Sequence, residues 1–139
     1  MDVDALDIRE LIPQREPFIM LDGVLAVKEK GLRSFFVVRA GNVLVKEDSL
    51  RESGLIENIA QTAAAMNGYA ARMEGTPVKL GFIGGIKNLE IFALPQLGNR
   101  LETEVEEIHF VMNTSIIIGR VWCEGRLMAS CEMKVFMQD

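Results

Sequence analysis

Between Ser49 and Gly75 the chain reads SLRESGLIENIAQTAAAMNGYAARMEG, with alanine, leucine, isoleucine and methionine on nearly every side of a helical wheel. A helix with so few polar interruptions does not lie on a surface along one stripe; it is wrapped by other structure. Ser49-Leu-Arg-Glu52 fits a capping box, in which the serine caps one backbone donor and the glutamate reaches back to another, so the helix is predicted to start near residue 50. Gly75 and Pro77 end it. Roughly 24 residues at 1.5 Å each span about 36 Å, the width of a small domain. A chain of 139 residues has room for one domain of ordinary size, so this helix should sit in its single core.

The flanks say what wraps it. Residues 4–12, DALDIRELI, place Leu6, Ile8, Leu11 and Ile12 roughly on one side of a predicted short helix that Pro13 stops. Pro17 cannot sit inside a central strand, but beyond it FIMLDGVLAVKEKG and LRSFFVVRAG read as two extended segments closed by Gly31 and Gly41. After Pro77 the pattern is strands throughout: VKLGFIGG, IKNLEIFAL, RLETEVEEIHFVM, TSIIIGRVWCEG and RLMASCEMKVFMQ. In the last, Leu127, Ala129, Cys131, Met133, Val135 and Met137 alternate with Arg126, Met128, Ser130, Glu132, Lys134 and Phe136, which predicts a buried odd-numbered face. In the segment before it, Ile117 and Val121 fall on one face and Ile116, Ile118 and Trp122 on the other. A sheet covered on both faces in so short a chain points to a partner subunit. One long apolar helix with so many antiparallel strands is most simply built as an α+β domain, residues 1–139, in which a curved antiparallel sheet wraps the helix. That is the hotdog fold.

Composition narrows the chemistry. Hydrophobic residues make up 49% of the chain, which rules out disorder. Twenty acidic against fifteen basic side chains give a net charge of -5, a poor basis for holding nucleic acid. No run approaches the eighteen apolar residues of a membrane span, and the opening MDVDALDIRE is acidic where a signal peptide would be basic, so a cytoplasmic location is expected. The two cysteines flank a hairpin with its turn near Gly125; pairing Cys123 with Leu127 leaves Cys131 about four residues out of register, beyond disulfide reach, so both should be reduced core thiols. The single histidine, His109, cannot build a zinc site alone, and neither GxxxxGK[ST] nor GxGxxG occurs. No metal or cofactor is expected.

Three stretches carry a family resemblance. LIPQREPFIMLDGVL, residues 11–25, resembles the opening Leu-x-Pro-His-Arg-x-Pro-Phe-Leu-Leu-Val-Asp-Arg-Val of the 3-hydroxyacyl-(acyl carrier protein) dehydratases, with Gln14 where histidine is usual and Gly23 where arginine is usual. LIENIAQTAA, residues 55–64, resembles the start of that family's central helix, and Glu57 falls on its catalytic acid. GFIGGIKNLEIFALPQLGNRLETEVE, residues 81–106, resembles the following strand pair and Pro-x-x-Gly-Asp turn. The resemblance covers most of the chain in the right order and implies the hotdog fold. It also implies activity on (3R)-hydroxyacyl thioesters of acyl carrier protein or coenzyme A, in fatty acid or related acyl-chain biosynthesis. In that family the active site lies at a dimer interface, with a histidine from one subunit and the acid from the other. The histidine sits in a Gly-His-Phe-Pro-Gly loop just before the helix. Here that place holds GNVLVKEDSLRE, and the family's spacing puts Val43 near the catalytic position.

Dehydration needs a base for the C2 proton, an acid for the C3 hydroxyl and donors for the carbonyl oxygen as enolate charge develops. Glu57, a carboxyl on an apolar helix, is suited to the acid; it also fits a solvated stripe with Gln61 and Arg72. Gln61, one turn on, can hydrogen-bond that carboxyl or simply favour the helix. Gly54 lies in the first turn, where free N–H groups and the helix dipole can hold a thioester oxygen, or where it only allows close packing. Gly84 and Gly85 resemble the small pair on the family's substrate-lining strand, or mark a bulge. Glu52 belongs to the capping box, His109 to no motif, and Glu102, Glu104 and Glu106 alternate like a solvent face. The basic residues Arg33, Arg39, Lys79, Lys87 and Arg100 are scattered and do not choose between the two carriers. Three readings stay open: a dehydratase in which Glu57 is both base and acid, a hotdog thioesterase in which Glu57 activates water, and a half-catalytic or acyl-binding subunit that pairs with a histidine-bearing homologue. A homodimer, or an assembly of dimers, is expected, with a heterodimer of this chain and a homologous dehydratase as the alternative.

Overall fold

The computed structural model describes residues 5–138. A 3₁₀ turn, Ile8–Glu10, is followed by strands β1 (Gly23–Lys28), β2 (Gly31–Val37), β3 (Val45–Lys46) and β4 (Ser49–Leu50), then by helix α1 (Glu52–Glu74). Strands β5 (Gly81–Ile91), β6 (Arg100–Val111), β7 (Thr114–Cys123) and β8 (Arg126–Met137) complete the chain. Six strands form one antiparallel sheet in the order β1-β2-β6-β7-β8-β5, and β3 and β4 form a separate two-stranded ribbon. The sheet curves around α1, as the hotdog fold requires.

The first two-thirds of α1 is the buried part. Leu55, Ile59, Ala63 and Ala65 are fully buried against Leu32, Leu101, Val105, Ile117 and Met133 of the sheet. Each large side chain among them contributes about 1.5–3 kcal/mol by leaving water. The helix lies close to β7 because that strand has Gly119 there: a Cβ would stand 2.4 Å from Ile59 Cγ2. Its last turn, including Arg72 and Met73, is exposed, so the wrapping is less complete than the sequence predicts. Gly75, at φ 72°, ends the helix in the left-handed region as expected.

Polar residues on the buried face are all engaged. The Asn58 amide donates to Met20 O at 2.8 Å, and Thr103 Oγ1 donates to Asn58 Oδ1. Thr62 Oγ1 donates to Asn58 O at 2.7 Å, which leaves Ser34 Oγ as the donor in its 2.8 Å bond to Thr62. Buried groups so satisfied avoid a desolvation penalty of about 1–3 kcal/mol apiece.

Four local expectations are corrected. Where a helix is predicted over 4–12, the described residues form the 3₁₀ turn Ile8–Glu10 and no α-helix, since Asp7 caps Arg9 N and Leu11 and Ile12 close on Ile8 O; Asp4 lies outside the described residues. The capping box does not form. Ser49 is drawn into the β3–β4 ribbon, where its Oγ donates to Lys46 O, and Arg51 takes the N-cap position without a side-chain bond. VKLGFIGG and IKNLEIFAL are not two strands but one, β5, interrupted by irregularities between Ile83 and Gly85 and between Lys87 and Glu90. The last hairpin turns on both Glu124 and Gly125, at φ 51° and 78°, a two-residue turn that pairs Cys123 with Arg126 rather than Leu127. Cys131 faces Gly119, and both thiols are free and buried.

The faces of β7 and, from Ala129 on, of β8 follow the predicted alternation; at the register shift beside Trp122, Met128 is buried and Leu127 only half-buried. Lys28 holds Glu104 on the solvent face at 2.9 Å. Uncovered apolar side chains gather elsewhere. Strand β5 is an edge of the sheet and carries Phe82, Ile83 and Leu89 exposed, and the β6–β7 tip carries Ile108, Phe110, Val111 and Met112. No helix among the described residues is long and apolar enough to cross a membrane.

Candidate functional site

Glu57 lies two turns into α1, half-buried, where the helix faces the free edge of the sheet. It opens onto a cavity of about 240 Å³. Ala60 and Ala64 of the same helix form its floor, Gly81, Phe82 and Ile83 of β5 one wall, Val135 and Met137 of β8 another, and Pro13 and Gln14 its rim. Helical geometry explains the floor, because positions 57, 60 and 64 share one face, and small side chains there leave the space open. Gln14 contributes a buried Oε1 without a hydrogen-bond partner among the described residues. A larger groove of about 520 Å³ between Asp7, Arg9 and Arg39 does not contain Glu57, and its guanidinium groups are already paired, Arg9 with Glu16 and Arg39 with Asp22.

The Glu57 carboxyl has a fixed orientation. Gln61, fully buried one turn on, accepts from Met20 N at 2.6 Å with Oε1 and donates from Nε2 to Phe18 O at 2.8 Å and Glu57 Oε1 at 2.9 Å. The Met20 N–H can only donate, so the amide cannot be reversed and Nε2 must face Glu57. Glu57 Oε1 is thereby committed as an acceptor, and Oε2 is the oxygen free to carry a proton.

Gln61 therefore positions Glu57 and ties residues 18–20 to the helix rather than standing on a solvated stripe. Arg72 is exposed and pairs with Glu10, apart from both. Gly54 is buried away from the cavity: its N–H donates to Arg51 O at 2.8 Å, and a Cβ would stand 2.4 Å from Leu50 Cδ1, so close packing accounts for it. Gly84 lies at the β5 irregularity, over the Phe136 ring, and Gly85 faces open space; the cavity wall is formed three residues earlier, by Gly81–Ile83. Glu52 is near Arg51 at 3.6 Å, without a cap bond. His109 is exposed on β6 opposite Ile116 and does not line the cavity. Val43, which the family's spacing puts near the histidine position, is exposed in the loop before β3 and does not line the Glu57 cavity. Sequence reasoning missed Ala60, Ala64 and Met137; the first two were readable as small residues at i+3 and i+7 from Glu57.

The fold and this site can be set beside known proteins. A family model described as ApeP-like, ApeP dehydratase, matches residues 6–139. The chain belongs to the ApeP-like dehydratase family. Sequence relatives of this family member include the 3-hydroxyacyl-[acyl-carrier-protein] dehydratase FabZ of Campylobacter lari, 24% identical over 99% of both chains. The FabZ of Geotalea uraniireducens is 26% identical over 95% of this chain and 94% of its own. Among solved structures, a chain of the dehydratase heterocomplex ApeI:P from Xenorhabdus doucetiae superposes with a TM-score of 0.90 at 16% identity, over 96% of this chain and 92% of that one. A hypothetical thioesterase with coenzyme A from Streptococcus pneumoniae superposes at 0.66 with 11% identity, over 83% and 84%. The ApeP-like chain is thus a dehydratase-like hotdog protein of the acyl-thioester type.

Proposed function

We propose that this chain supplies the acid half of a dehydratase site for 3-hydroxyacyl thioesters, and that a histidine-bearing homologue supplies the base. The observation that carries the reading is a preset acid in a chain without the base: Gln61 orients Glu57 into the cavity, while the loop before α1, GNVLVKEDSLRE, holds no histidine to offer a second subunit. The free edge of β5, with exposed Phe82 and Ile83 beside that cavity, is where a second sheet would join to bring a base in. The Xenorhabdus neighbour is part of a dehydratase heterocomplex, which supports a mixed assembly here, and the FabZ relatives support acyl carrier protein as the carrier.

The partner's imidazole removes the C2 proton, and the C–H electrons form the C2=C3 double bond as the C3–O bond breaks. Glu57 Oε2 gives its proton to the departing oxygen, which leaves as water. The proton on the imidazole then returns to Glu57, so the cycle closes without another reagent. General-base catalysis contributes about a hundred- to ten-thousand-fold, and the isolated chain should be slow by that margin.

The test is co-expression with a histidine-bearing dehydratase from the same genome, followed by mass spectrometry of 3-hydroxyacyl and saturated acyl thioesters. A mixed dimer that loses water from the first, and that Glu57→Gln in this chain inactivates in kcat, is the expected result. Full activity from the purified chain alone would refute the missing base, and hydrolysis of both thioesters would assign a thioesterase instead. Light scattering that finds only monomer under all these conditions would refute the assembly.

A further inference from the structure

The helix face that carries Glu57, Ala60 and Ala64 continues to Asn67, at spacings of three, four and three residues. At Asn67 the open track stops. Asn67 Nδ2 lies 3.4 Å from Met137 Sδ, and on the other side a Cβ at Gly81 would stand 3.2 Å from the same sulfur. The methionine side chain thus spans the gap between α1 and the edge strand. Beyond it lies a second cavity of about 190 Å³, lined by Ala70, Ala71 and Phe110 among others. Among the described residues, Met137 is the one that lines both chambers.

We propose that Met137 is a gate in a single acyl channel running along α1, and that it sets the chain length the site accepts. The inference rests on the acyl-thioester reading above, because it takes the reacting carbons to be at Glu57 and the tail to run toward Asn67. Everything about the barrier fits a movable side chain rather than a wall. The Met137 backbone is held by its N–H to Asn113 O at 2.8 Å and by its pairing with Gly81, while the unbranched thioether has three rotatable bonds. Its contact to Asn67 is a weak amide–sulfur one, easily given up. From Glu57 to Ala64 the helix rises about 10.5 Å. At about 1.3 Å of advance per staggered carbon–carbon bond, a tail fills the first chamber with about eight carbons beyond C3. Longer tails have to swing Met137 aside and enter the second chamber.

The probes are saturated acyl pantetheines in which an amide replaces the thioester, so that none turns over, in two-carbon steps from butanoyl to hexadecanoyl. Calorimetry is run on the full chain in its native assembly. For wild type, affinity rises about fourfold per methylene up to the length that fills the first chamber and rises less steeply beyond it. Met137→Ala removes the break, so the steep rise continues. Ala71→Leu fills only the second chamber and weakens the longest tails at least tenfold, leaving the shorter ones unchanged; this arm holds even if Met137→Ala fails to fold. A break at the same length in wild type and Met137→Ala, or equal loss of short and long tails in Ala71→Leu, would overturn the gate while leaving the dehydratase reading intact. No binding of any tail would overturn the gate together with that reading.

Discussion

Replacing Gln61 with leucine tests whether one buried amide holds both the fold and the acid in place. The side chain has no exposed surface, and its three bonds go to Met20 N, Phe18 O and Glu57 Oε1. Leucine fills a similar volume and can make none of them. Met20 is also fully buried, so its N–H has no route to water and bears the full cost of about 1–3 kcal/mol for an unpaired buried donor. Phe18 O, nearer the surface, adds about 1 kcal/mol, and the bond to half-exposed Glu57 adds little to stability. Greater apolar burial returns about 1 kcal/mol. The expected net loss is therefore about 1–3 kcal/mol, read as a lower urea midpoint at unchanged slope. Glu57→Gln is the control, because its amide oxygen still accepts from Gln61, and it should stay within about 0.5 kcal/mol of wild type. If Gln61→Leu unfolds at the wild-type midpoint, or if the two variants lose equal stability, residues 18–20 are not tied to the helix through Gln61 and the argument for a preset Glu57 falls.

Gly68→Ala places a Cβ 1.8 Å from Leu11 O, a backbone atom that no rotamer can move, so residues 8–14 must shift off the helix. The gain of about 1 kcal/mol in helix propensity should be outweighed and leave a net loss of about 1–2 kcal/mol in urea unfolding; a stabilised variant would disprove the contact. Burial pushes the Cys131 thiol up to about 11 and raises that of Cys123, so neither should react with iodoacetamide at pH 8 until urea unfolds the chain. Rapid labelling of the folded protein would contradict the packing of β7 and β8. The Lys28 hydrogen bond holds the Glu104 carboxyl below its ordinary value, which stabilises the fold above the unfolded-state value and is lost as pH falls through the folded one. The pair is largely exposed, so the stability difference between wild type and Lys28→Met should be small, shrink with salt and vanish in acid; a difference that persists at low pH would mean that packing of the lysine stem, not charge, is responsible.

What the amino-acid sequence determined is what local periodicity can carry. Apolar residues all round positions 50–73 announced a wrapped helix, Gly75 its end, and alternation over 126–137 a strand with one buried face, because side-chain direction along a helix or strand depends only on spacing. Glu57 stood out as a carboxyl on that helix, in a motif that resembles the one around the family's acid. Tertiary structure decided everything that depends on which segment arrives opposite. Ser49 had the right neighbours to cap α1, yet pairing between β3 and β4 claimed it, a competition no local pattern records. Gln61 reads in isolation as a good helix former; it becomes the clamp on Glu57 only because residues 18–20, some forty positions earlier, bring a backbone donor and acceptor to its two ends. The cavity walls come from the rim at 13–14, the helix, β5 and β8, and Met137 divides it from its neighbour because the sheet order puts the end of β8 beside Gly81 and under Asn67. Contacts between residues so far apart along the chain follow from the closure of the sheet around the helix, and that closure is a property of the whole core.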